Sequence, residues 1–140
     1  MPDLEFLASE ETLNTFLRGF QMGTLPKGAF GHAAHVATAA CYCLRFDHDE
    51  CLNHFRRDLK HFNESVGGAN TVDSGYHETI TIFWLDTIRS FLRDKPVSRL
   101  EAVRLTVAEY GAQFGLVQSR YNFDLVKSRE ARARWIPPTG

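Results

Sequence analysis

His32-Ala33-Ala34-His35-Val36-Ala37-Thr38-Ala39-Ala40-Cys41-Tyr42-Cys43-Leu44-Arg45-Phe46 reads as a single helix, because alanine is the strongest helix former and nothing in the stretch breaks the pattern. Ala33, Val36, Ala37 and Ala40 are small, so another helix can approach this one closely. That makes it an interior helix, around which others must pack. The fold class follows from what flanks it.

Upstream, Ser9 is placed to cap a first helix, with Glu10 and Glu11 in the first turn complementing the positive end of the helix dipole. Leu13, Phe16, Leu17 and Phe20 fall at helical spacing, and Gly23 and Pro26 end the helix before the short connection Lys27-Gly28-Ala29-Phe30-Gly31. Downstream, Asp47 and Glu50 have capping-box spacing and open a third helix with Leu52, Phe55, Leu59 and Phe62 on its apolar side. The charges of Arg56, Arg57, Asp58 and Lys60 read as a solvated face. Asn63 to Ser74 loses apolar periodicity and gains Gly, Asn and Ser, the mark of a loop. A fourth helix, capped by Asp73 or Ser74, carries Ile80, Phe83, Trp84, Ile88 and Leu92 and ends near Pro96. Ser98 and Glu101 box the start of a fifth, with Leu100, Val103, Val107 and Tyr110, closing near Gly115.

No period-two strand and no internal repeat is visible, so the expected architecture is an all-α, single-domain bundle of four to five helices. Its core spans about residues 8–115, followed by an irregular tail, 116–140, holding one short helix after Ser128. A chain of 140 residues buries one core without needing a disulfide or structural metal. Apolar and charged fractions of 44% and 24% favour neither disorder nor a membrane span. The net charge of −1 argues against nucleic acid as the main partner. Met1-Pro2-Asp3-Leu4-Glu5 lacks a basic-then-apolar leader pattern, which points to the cytoplasm. Cys41, Cys43 and Cys51 are odd in number and lack C-x-x-C spacing, so they read as small apolar side chains in a reducing compartment. Phenylalanine at 11 positions leaves apolar surface enough to allow a homodimer.

Chemistry concentrates in two places. His32 and His35, three apart, project from one helix face and suit joint chelation of a metal ion, though H-x-x-H alone arises easily by chance. Gly75-Tyr76-His77-Glu78-Thr79-Ile80-Thr81 crowds an imidazole, a carboxylate, a phenol and two hydroxyls into one turn. If the two helix starts are adjacent, His77 is the third ligand of a divalent site for Fe, Zn or Ni with open coordination positions. Glu78, rotated by about a hundred degrees from His77, is then an orienting group or general base, or simply a first-turn acid that suits the dipole. Tyr76 is a proton or hydrogen-bond donor or a packing tyrosine, and Thr81 a hydrogen-bond partner one turn beyond His77. Asn63, Asn70 and Thr71 either contact a ligand or tie down the loop. His61 supplements the site if its face turns inward; His48 and His54 belong to the surface.

Phe30-Gly31-His32-Ala33-Ala34-His35, Phe62-Asn63, Gly67, Asn70-Thr71 and Gly75-Tyr76-His77-Glu78-Thr79-Ile80-Thr81 together resemble a family of small, largely uncharacterised bacterial proteins. Those proteins show an aromatic, then H-x-x-H-L, Y-N, G, N-T and G-Y-H-E-T-[IL]-T. The resemblance covers about residues 28 to 85, with a weaker echo from Ser128 to Pro137. It implies that the two histidine clusters belong together but assigns no reaction. Gly31 stands where a capping hydroxyl is usual, and Phe62 where a tyrosine is usual.

Three functions follow as expectations. The first is a metal-dependent enzyme, hydrolytic or oxygen-dependent, acting on a small organic molecule. The second is a metal-free helical module that binds a small anion or other ligand without turnover. The third is an oligomerising structural protein whose histidines satisfy one another.

Overall fold

The computed structural model describes residues 4–26 and 28–139; Met1-Pro2-Asp3, on which the leader reading partly rests, and Lys27 of the first connection lie outside them. The described residues are all-helical, without strands: α1 (Glu10–Met22), α2 (His32–Arg45), α3 (His48–Ser65), α4 (Glu78–Leu92), α5 (Arg99–Tyr110) and the short α6 (Arg129–Ala133), with single 3-10 turns at Glu5–Leu7 and Gln118–Arg120. Helix α2 is the axis, packed against α3, α4 and α5, while α1 lies on α3 and α6 on α4. Val36, Ala37, Ala39 and Ala40 are completely buried, so the small residues of α2 do admit close neighbours. None of the described helices is long and apolar enough to cross a membrane.

The caps explain most of the boundaries. Ser9, Asp47, Ser98 and Ser128 each accept a hydrogen bond from the backbone N–H three residues on, starting α1, α3, α5 and α6. Gly23 ends α1 in the left-handed conformation. Helix α5 stops at Tyr110 with Gly111 as its cap, one turn short of the expected Gly115.

Neither Asp73 nor Ser74 caps α4. The cap is His77, whose Nδ1 accepts the Ile80 N–H at 3.1 Å. Ser74 is instead consumed by a turn, its N–H donating to Thr71 Oγ1 and its hydroxyl to the Ala69 carbonyl, while Asp73 pairs with Arg129. Gly75 then reverses the chain at φ 77°, a conformation that disfavours a β-carbon.

The charged face of α3 also departs from the sequence reading. Asp58 is buried and accepts the Tyr42 hydroxyl at 2.6 Å, and Arg56 pairs with Glu78 at 2.6 Å. The period placed Asp58 among charges, but its face meets α2.

The core does not stop at residue 115. Val117, Tyr121, Leu125 and Ala131 join the same apolar cluster as the five long helices. Outside α6 and the 3-10 turn at Gln118–Arg120 the tail is irregular and is tied to the bundle by specific bonds, several of which converge on the start of α4.

Candidate functional site

A cavity of about 760 Å³ opens where the amino end of α2, α3 and the first turns of α4 face the tail. His32, His35, Asn63, Tyr76, His77 and Thr81 all line it, so both histidine clusters reach one space. Asn70, Thr71 and Glu78 do not; they border a separate groove beside Arg56 and Lys60. Among the described residues no Asp, Glu, Lys or Arg lines the main cavity, and Phe30, Phe62, Trp84 and Phe114 give it aromatic walls.

His77 has no free nitrogen. Its Nδ1 accepts from Ile80 N–H, so the proton is on Nε2, which donates to the Leu125 carbonyl at 2.9 Å. Burial lowers its pKa, with the carbonyl bond acting the other way. The ring is therefore neutral and serves as a pin between the helix start and the tail.

His32 is half committed. Its Nε2 donates to the Tyr110 carbonyl at 3.0 Å, leaving Nδ1 with a lone pair, and the ring meets Trp84 edge-on at 5.0 Å. Burial holds its pKa below the ordinary value, outweighing that hydrogen bond. The His35 ring has no hydrogen-bond partner among the described residues. It sits deep among Phe30 and Phe55, edge-on at 5.9 and 5.6 Å, yet keeps part of its surface open to the cavity. Burial first, and the neighbouring His32 second, bring its pKa down to about 4. Neutral at physiological pH, it offers one donor and one acceptor to the cavity.

The residues expected to do acid–base chemistry satisfy one another. Glu78 accepts from Arg56 Nε and Nη2 at 3.0 and 2.6 Å and from the Tyr76 hydroxyl at 2.6 Å. Burial works to raise its pKa, but those donors outweigh it and hold the carboxyl below its usual value. The Tyr76 phenol is pushed up, first by burial and then by donating to Glu78. Thr81 donates to the His77 carbonyl at 2.8 Å rather than to its ring. Asn63 donates to Asn70 Oδ1, which also takes the Tyr76 N–H, while Thr71 accepts the N–H groups of Asp73 and Ser74. These amides and hydroxyls tie down the loop. His61 remains exposed and outside the cavity.

The donor set does not fit a three-histidine metal centre. A ligating nitrogen must present a lone pair, and the only one on His77 already holds the first turn of α4. Two imidazoles, stacked with centroids 6.5 Å apart, remain without a carboxylate or thiolate beside them. Among the described residues no group of three or more His, Cys, Asp or Glu is arranged to hold a metal ion.

Arg132 is a residue whose part the sequence concealed. Buried in α6, it donates to the carbonyls of Gly75 and Val126 at 2.7 and 2.8 Å. With the His77–Leu125 bond and the Thr79 hydroxyl, which donates to the Arg134 carbonyl and accepts the Ile136 N–H, it fastens the tail across the cavity. Its one sequence signal was the weaker part of the family resemblance, Ser128 to Pro137. Leu125, Val117 and Gln118, which complete the wall, carry no signal at all. Comparisons with protein-family models, with curated proteins and with solved structures find no match for this chain.

Proposed function

We propose that the protein binds a small, largely apolar, uncharged molecule bearing one or two hydrogen-bonding groups, without metal and without turnover. The observation that carries this reading is the unpartnered neutral imidazole of His35 opening into an aromatic cavity that no charged side chain of the described residues lines. A volume of about 760 Å³ suits a molecule of drug-like size. Removing a carboxylate or ammonium from water into such walls is costly, which favours a neutral ligand over the small anion that the sequence also allowed. The first turn of α2, which has no side-chain cap, lies in the same wall and presents the positive end of its dipole to a ligand oxygen. Phe114, 76% exposed at the rim, supplies an apolar entrance.

Binding rather than catalysis is favoured because Glu78, Tyr76 and Thr81 are each hydrogen-bonded within the protein. Trp84 in the wall gives a direct readout: titration with a neutral solvatochromic dye such as Nile red should change tryptophan fluorescence saturably. His35→Phe should weaken displacement of the dye by small phenols and ketones at least about tenfold, the loss of one good hydrogen bond in a dry site. Equal displacement in parent and variant would remove His35 from the site. Dependence of binding on added Fe, Zn or Ni, abolished by a chelator, would restore the metal reading.

A further inference from the structure

A second cavity, about 620 Å³, lies at the other end of α2, between α1 and the start of α5, and shares no lining residue with the first. Its charged residues among those described are of one sign. Arg18, Arg45 and Arg99 line it, and no Asp or Glu does. Among the described residues the side chains of Arg18 and Arg45 make no hydrogen bond or ion pair, Arg45 lying instead over the Phe46 ring at 5.3 Å. Arg99 is held in place, donating to Asn14 at 2.7 Å with Glu10 at 3.5 Å from its Nε. The amino end of α5 brings a positive dipole to the same spot, while Arg45, in the last turn of α2, offsets the negative end of that helix. Leu44 and Val97, both large and exposed, form an apolar side to the groove.

From three arginines lining one cavity, no lining carboxylate among the described residues and an apolar flank, we infer a binding site for a small organic phosphate. Guanidinium forks match phosphate oxygens in pairs, and two uncommitted arginines beside one preorganised arginine suit a dianion. The apolar flank selects an ester with a hydrophobic body over free phosphate. This site stands independently of the reading given to the first cavity.

Calorimetric titration at low salt with phenyl phosphate, beside inorganic phosphate, tests it. The expected result is saturable one-to-one binding of phenyl phosphate, tighter than that of inorganic phosphate and weakened by added salt. The double variant Arg18→Gln/Arg45→Gln, both positions being exposed, should keep the circular dichroism of the parent and lose at least about tenfold in affinity. Absence of saturable binding, equal affinity in parent and variant, or displacement of phenyl phosphate by Nile red would each overturn the assignment. Binding of an oligonucleotide but not of phenyl phosphate would also do so.

Discussion

Replacing Arg132 with methionine should unfasten the tail from the start of α4. Methionine keeps most of the apolar stem and removes the guanidinium that reaches the Gly75 and Val126 carbonyls at 2.7 and 2.8 Å. Each carbonyl stranded away from water costs about 1–3 kcal/mol. Two effects work the other way: among the described residues the buried charge makes no ion pair, and its Nε is buried without a partner, so its removal recovers some desolvation cost. The net expected loss is about 2–3 kcal/mol, or about 5–10 °C in Tm for a domain of this size. Urea unfolding followed by tryptophan fluorescence measures the first figure. Limited trypsinolysis locates it, since Lys127 and Arg129 lie in the released segment and cleavage there should accelerate more than elsewhere. A stability change below about 0.5 kcal/mol, with unchanged cleavage, would show that the guanidinium does not hold the tail.

Acidification provides a second test. His35 titrates at about 4 in the fold against 6.5 for an unperturbed histidine, so the unfolded chain takes up its proton first. Stability from this residue is complete above pH 6.5 and is lost as pH falls toward about 4, at up to about 1.4 kcal/mol per pH unit. His32 and His77, both lowered, act in the same direction; chemical denaturation between about pH 5 and 7 should show a shallower slope in His35→Phe, and an identical slope would discount the burial argument. Gly75→Ala should cost at least about 2 kcal/mol, because the left-handed conformation alone is worth about 1–2 and the new methyl meets the Ala69 carbonyl. Thr79→Val, which strands the Arg134 carbonyl and the Ile136 N–H, should cost about 1–2 kcal/mol by the same unfolding assay; a neutral result would count against a docked tail. Glu78→Gln should leave Nile red affinity within about twofold, since Glu78 does not line the cavity; a large loss would return Glu78 to the site.

The helices were legible because their signals are local. Ser9, Asp47, Ser98 and Ser128 announce starts through short-range capping, and alanine in α2 announces both helix and close packing. The convergence of His32, His35 and His77 on one space was also readable, from their placement at two helix starts. Their roles were not. Whether a histidine nitrogen is free depends on what approaches it, and His77 is satisfied by Leu125, 48 residues away. Likewise, Asp58 has the sequence context of a surface charge until Tyr42 arrives from α2. The tail was the least legible part, because its order comes from hydrogen bonds between side chains and distant backbone carbonyls, donated to it by His77 and Thr79 and from it by Arg132, which leave no period in its own sequence.

The fastening of residues 117–136 over the start of α4 has a consequence for the order in which the protein matures. During synthesis all five long helices are made before Val117 emerges, so the bundle can collapse while one side of the cavity still faces water and cellular chaperones. Leu125 reaches His77, and Arg132 reaches Gly75, only afterwards. The cavity wall is thus completed only after the five long helices have been made, and truncation near Gly115 should leave a helical chain with that apolar space open on one side.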